Sequence, residues 1–220
     1  MKVDWFQQFD GYCERTDFTY WSEPINAVTN AAFIIAALIM WGRVGHVGRA
    51  RVLCLVLFLI GCGSYLFHTH ATSWAALADV APIGIFILFY LYLVNRDMLH
   101  WPLWAALLGT LAFIPYAAVV VPITNALPFF GISNFYWTVP LLLVIYAIAL
   151  RRTRPKVANG FAMGAAILSV SIAFRSLDEL LCDFIPIGTH FIWHCLNAVM
   201  LGYMIHVYAR HVLAERPQPS

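Results

Sequence analysis

The chain has 220 residues, of which 62% are hydrophobic and 11% charged, with a formal net charge of +2. A water-soluble domain carries roughly 25% charged residues, so this composition excludes a soluble globular protein and points to an integral membrane protein. The near-neutral balance has no basic run that would suit a nucleic acid.

Seven apolar runs come near the ~20 residues that a helix needs to cross a bilayer. They fall at 24–42, 52–70, 76–95, 102–121, 134–150, 158–177 and 188–209. The expected architecture is an all-α, seven-transmembrane-helix bundle. An N-terminal segment over 1–23 precedes the membrane domain over 24–209, and a tail over 210–220 follows it. No basic stretch leading into an apolar run precedes Glu23, so no cleavable signal peptide is expected. Gly61, Gly63, Pro82 and Pro140 lie inside runs, where neighbouring helices can re-satisfy the backbone. The Pro- and Gly-rich connection VPITNALPFFGISN between the fourth and fifth runs reads as interfacial.

Loop charge sets the orientation. The loops after odd-numbered runs, with the C-terminal tail, hold ten Lys and Arg residues, whereas the opposite side holds Lys2, Arg15 and Arg175. Lys and Arg concentrate on the cytoplasmic side, so the C-terminus is expected inside and the N-terminus outside. Cys54, Cys62 and Cys195 fall within runs and read as packing residues. Cys13 and Cys182 both fall on the outer side, where the compartment permits a disulfide; a bridge and two unpaired thiols are both compatible with that depth.

Ionisable groups inside spans are costly and default to functional candidates. The first run opens EPINAVTN, with Glu23, Asn26 and Asn30 on one stripe; the second ends GSYLFHTH, with Ser64 and His68 one turn apart. Asp79 lies about one turn inside the third, and the seventh opens with His190 and His194 at i and i+4. Given the alternating direction of the runs, all these residues reach the same depth near the outer face. Three histidines at one depth suit a catalytic zinc, which takes three protein ligands and keeps a position for water. His68, His190 and His194 are the candidate ligands. Asp79 is the candidate proton acceptor, Ser64 a candidate for holding the water or an oxyanion, and Asn197 a supporting partner. Haem fits poorly, because an i, i+4 pair lies on one side of a ring. His70 reads as a solvated loop residue.

Before the first run, DGYCERTDFTYWSE holds Asp10, Glu14, Asp17 and Glu23, with Arg15 the only base. Oxygen-rich segments of this kind suit calcium; an ordinary acidic outer segment is the alternative. Arg175 and Asp178 at the end of the sixth run are expected to pair with each other rather than with a lipid headgroup.

EPINAVTN, GSYLFH followed eleven residues later by Asp79, and HFIWH together resemble the alkaline ceramidase family. That family is a branch of the seven-span membrane hydrolases that include adiponectin-receptor-like and GPI-anchor-remodelling proteins. The resemblance runs from about Asp10 to Asn197. DGYCERT and FRSLDELLC…GTHFIWH look like the bacterial members, which implies a bacterial inner membrane with the site toward the periplasm. The resemblance implies a zinc amidase of ceramide: His68, His190 and His194 as zinc ligands, with Asp79 and Ser64 holding the catalytic water and Asn26 and Asn197 behind the ligands. It also implies a calcium site from Asp10, Tyr12, Glu14, Thr16 and Glu23, and a Cys13–Cys182 disulfide. Glu14 and Glu23 match the calcium pattern directly. Asp10 and Tyr12 match only with a one-residue insertion, and Thr16 stands where the family has asparagine, so Thr16 or Asp17 would substitute. The expected partners are a ceramide-like membrane lipid and the bilayer, with no nucleic acid. Hydrolysis or transfer on another lipid, and a non-catalytic zinc-containing lipid sensor, are the competing functions.

Overall fold

The computed structural model describes residues 4–215. Among them the regular elements are helical, and a single isolated bridge joins Gln8 to Thr72. The helices are α1 (Pro24–Thr29), α2 (Ala31–Arg43), α3 (Gly48–His70), α4 (Ser73–Leu93), α5 (Leu103–Leu111), α6 (Phe113–Asn125), α7 (Pro128–Gly131), α8 (Thr138–Leu150), α9 (Pro155–Leu177) and α10 (His190–Ala214). A π-helical turn over Val94–Met98 extends α4.

Six of the helical stretches are long and apolar enough to cross a membrane: Pro24–Arg43, Gly48–His70, Ser73–Met98, Leu103–Asn125, Pro155–Leu177 and His190–Ala214. The chain is therefore a multi-pass integral membrane protein. Its outer surface agrees, because large apolar side chains such as Leu38, Leu108, Ile114, Val119 and Ile148 are exposed all round the bundle, far beyond the apolar patches of a soluble monomer. The neighbours α4–α3–α2–α10–α9–α8–α6–α5–α4 close a ring. Phe33, Leu57, Ile60, Leu93, Phe161, Ile172 and Ile205 fill its middle.

The fifth predicted run departs from expectation. Only Thr138–Leu150 is helical there, 13 residues, or about 20 Å at 1.5 Å per residue. Residues 134–137 form turns instead. Ser133, just before them, still accepts hydrogen bonds from Arg175 Nη1 (2.9 Å) and Ser176 Oγ (2.9 Å) near the C-terminal end of α9. The segment from Ser133 to Leu150 therefore runs alongside α9 nearly from end to end.

Two further interruptions lie inside predicted runs, at Asn30 and at Ala112. At the first, Asn30 Nδ2 donates to the Asn26 carbonyl (2.9 Å) and Thr29 Oγ1 to the Ile25 carbonyl (2.8 Å), local bonds that compete with the helical ladder. The last helix also continues to Ala214, past the expected boundary at 209.

The N-terminal segment folds over one end of the bundle. Phe9 N donates to the Ala71 carbonyl (2.8 Å), and Ser73 N to the Gln7 carbonyl (3.0 Å), which joins the segment to the α3–α4 turn. The Cys13–Cys182 disulfide joins it to the α9–α10 loop. At the opposite end, Asp97 pairs with Arg49 and accepts from Tyr208 Oη (2.6 Å), while Arg154 pairs with Glu215 (2.6 Å). Lys2 and Arg216 of the charge count lie outside the described residues.

Candidate metal centre and active site

His68 stands in the last turn of α3, and His190 and His194 on the first two turns of α10. All three are buried at 1–2% exposure. Their ring centroids lie 4.6–5.1 Å apart, and one ligand atom from each lies within 4.8 Å of the others. Among the described residues this is the group of histidines, cysteines and acids able to hold a metal.

The hydrogen bonds around the rings leave donor atoms for an ion. His68 Nδ1 lies 2.6 Å from Glu23 Oε2; a carboxylate only accepts, so Nδ1 carries the proton and Nε2 is left as a lone pair. Thr29 Oγ1 uses its hydrogen on the Ile25 carbonyl and accepts from His194 Nδ1 at 2.9 Å. His194 Nε2 then has no partner although it is buried, and neither has His190 Nδ1. Two orphaned ring nitrogens in a buried site cost on the order of 1–3 kcal/mol each, and a shared cation removes that cost. The three residues fit zinc, whose preferred ligands include imidazole nitrogen.

Asp79 and Ser64 line a small pocket together with His190, Asn197, Tyr12, Tyr136 and Arg175. Gly63 explains why α3 and α4 bring these two side chains to one wall: a Cβ there would stand 2.0 Å from the Ala78 carbonyl oxygen, so only glycine permits this backbone approach. Asn26 is buried and donates from Nδ2 to Glu23 Oε2 at 3.1 Å, which places it behind His68. Asn197 is buried on the cavity wall. His70 is exposed, as expected.

Beyond this cavity the walls turn apolar. A second, apolar pocket shares Ile60, Ile83, Tyr136, Trp193 and Asn197 with the first. A third shares Phe86, Ile87, Val139, Met200 and Leu201 with the second. The polar pocket thus adjoins apolar walls from α4, α8 and α10.

The residues expected to bind calcium stand in different surroundings. Both Glu14 oxygens accept backbone N–H groups at the start of α1, from Ile25 (2.7 Å) and Asn26 (2.8 Å); burial raises this carboxyl above the ordinary glutamate value despite those bonds. Asp10 and Thr16 are exposed. Asp17 turns onto Thr19, whose hydroxyl and N–H hydrogen-bond to it and lower its pKa. Tyr12, whose backbone is the expected ligand, places its ring 4.0 Å from His190 and 5.1 Å from His68. Glu23 is buried and held by Arg15 Nε (2.5 Å). Burial alone would raise its carboxyl pKa, but hydrogen bonding and charge from His68 and Arg15 outweigh this and hold it below the ordinary value.

The expected Arg175–Asp178 pair is not formed. Arg175 donates to Ser133 and lies over the Tyr136 ring at 4.9 Å. Asp178 is buried and accepts from three backbone N–H groups: Cys13 (3.1 Å), Thr189 (2.5 Å) and His190 (2.8 Å). It therefore caps α10 from another segment, where a negative charge is favourable. The turn before that helix needs Gly188, which has φ +64° and whose Cβ would meet Asp178 Oδ1 at 2.1 Å. Cys195 is exposed on the outer face of the bundle rather than packed inside it.

Sequence reasoning missed Arg15, Thr29 and Asp178 as supports of the site. Thr29 carried one usable signal, since it lies three residues past Asn26 and so extends the polar stripe of α1. Asp178 carried none, because its partners are backbone groups.

No curated protein matches the chain. A family model described as Ceramidase matches residues 11–219. That match covers the N-terminal cap from Gly11 on, every helix of the ring and all five residues of the His–Asp–Ser constellation, and the chain belongs to the ceramidase family.

Proposed function

We propose that this chain is an intramembrane zinc-dependent amidase that hydrolyses ceramide to a sphingoid base and a fatty acid. Family membership supports ceramide hydrolysis in general. The observation that carries the finer reading is the junction of two unlike surfaces. Three buried histidines, two of them with an orphaned ring nitrogen, stand beside Asp79 and Ser64, and apolar walls that include Phe86, Leu143, Met200 and Met204 follow along the bundle. An amide flanked by long alkyl chains matches that junction, with its polar linkage at the histidines and a tail along the apolar walls.

Bound by His68, His190 and His194, zinc would act as a Lewis acid toward the amide carbonyl and the attacking water. The Asp79 carboxylate takes the proton from that water as it attacks. Ser64 Oγ donates to the oxygen on which charge develops. Asp79 then delivers its proton to the departing amine nitrogen, so the C–N bond breaks with both products neutralised. Glu23 and Thr29 hold His68 and His194 in the tautomers that present Nε2. The Tyr12 ring covers His68 and His190 and limits water entry from the aqueous end. The bundle is read as seven crossings with the site end outward and the C-terminus cytoplasmic.

The test is a lipid panel with metal analysis. Purified protein is expected to release free sphingoid base from ceramide and to leave phospholipids and N-acyl amino lipids intact. His190→Ala is expected to lose zinc and turnover together. Stoichiometric zinc with full activity in that variant would sink the site, and zinc-loaded protein that turns over no ceramide would sink the reaction.

A further inference from the structure

We propose that Arg15 is the resident cation of the N-terminal segment: its guanidinium holds Glu23, one of the carboxylates expected to bind calcium, and through Glu23 it positions His68. Three oxygens surround it. Glu23 Oε1 lies 2.5 Å from Nε, the Asp17 carbonyl 3.0 Å from Nη1 and the His68 carbonyl 3.0 Å from Nη2. Carboxylate and carbonyl oxygens are the ligands calcium prefers, and it needs 6–8 of them. Here they face a fixed positive charge instead, with the Phe18 ring 6.0 Å away on one side.

The other oxygens of the two buried or part-buried glutamates already have partners. Glu23 Oε2 accepts from Asn26 and His68, and both Glu14 oxygens accept from the α1 backbone. A divalent ion would have to displace a cation that is itself only 5% exposed and leave it unpaired, which is strongly unfavourable. The family pattern of a calcium site is therefore replaced in this chain by a side chain. The positive charge is supplied by a side chain of the segment itself, so the cap does not depend on an outside ion.

Its contacts define what it does. Arg15 binds none of the histidine rings. It fixes the Glu23 carboxylate that orients His68, and it satisfies the His68 carbonyl in the last turn of α3, where a cation is favourable. It is a positioning residue, and its loss should be read out at the metal as well as in stability.

The experiment uses the full chain purified in detergent with zinc held constant. Raising calcium to millimolar levels is expected to leave the unfolding temperature unchanged, and metal analysis after calcium exposure and desalting is expected to find no stoichiometric calcium. Arg15→Gln is expected to lower the unfolding temperature by about 10 °C and to weaken zinc retention against a competing chelator about tenfold. Arg15→Lys, which restores the charge, should recover part of that retention. A saturable rise in wild-type unfolding temperature with calcium, a stoichiometric bound calcium, a Gln variant matching wild type, or a Lys variant no better than Gln would each overturn the inference. If the Gln variant fails to fold, the wild-type calcium titration and the Lys variant decide it. If the chain binds no zinc, the hydrolase reading fails, while the calcium titration and the unfolding temperatures still judge Arg15.

Discussion

Asp79 separates the two jobs that the site must do, because it lines the cavity but is not one of the three grouped metal-binding side chains. Asp79→Asn keeps the shape and removes the proton acceptor. The variant is expected to retain most of its zinc and its unfolding temperature while turnover falls about 10²- to 10⁴-fold. Single-turnover assays with parallel metal analysis check this, and full activity would remove Asp79 from the mechanism. The same residue shows why this part of the site was readable. An ionisable group in an apolar run stands out against its surroundings, so His68, His190, His194, Asp79 and Ser64 could be found by depth alone. Arg15 could not, since it lies in a polar segment where one base among four carboxylates looks like an ordinary counter-ion. Asp178 misled for a related reason: i, i+3 spacing offered Arg175 as a partner, but the end of α9 turns the carboxylate toward the N–H groups of the next helix.

At the scale of elements, the site depends on how closely α3 approaches α4. Gly63→Ala would force a Cβ to within 2.0 Å of a backbone oxygen, and backbone cannot yield as a side-chain tip can. The expected result is a shift of α4 that carries Asp79 away from Ser64. Stability should fall by about 1–3 kcal/mol, and turnover should drop more than zinc content does. Thermal unfolding and ceramide turnover measured together check this; an active, equally stable Gly63→Ala protein would mean that the approach is looser than described. Helix positions were legible because length and hydropathy suffice to mark a span. Helix interruptions were not. The break at Ala112 lies within an unbroken apolar run, the polar residues around Asn30 occur in a stretch long enough to span, and the aromatic turn over 134–137 leads directly into an apolar helix. Hydropathy records whether a residue prefers lipid to water, and a turn packed against neighbouring helices passes that test as well as a helix does.

Across the whole molecule, two independent markers support the proposed orientation of the bundle. The Cys13–Cys182 disulfide lies at the end that holds the histidines, and disulfides persist in oxidising compartments. Arg43, Arg49, Arg96, Arg151 and Arg152 gather at the other end, the side that positive charge marks as cytoplasmic. The two agree only if the number of crossings is odd, because the N-terminal cap and the C-terminal end of α10 lie at opposite ends. That makes α8 decisive. Its 13 helical residues fall short of a bilayer, yet the segment reaches from Ser133, bonded to Arg175 and Ser176, to the loop that opens α9. Turn residues 134–137 supply the missing length, sheltered by α9 and the Phe130 and Trp137 rings that pack 4.7 Å apart. A reporter active only outside the cytoplasm, fused after Ser220, is therefore expected to be silent, and one active only inside to work. A membrane-impermeant thiol reagent added from outside should label Cys13 after reduction and not before. An active external reporter would return α8 to one side of the membrane, reduce the crossings to six and separate the disulfide from the compartment that maintains it.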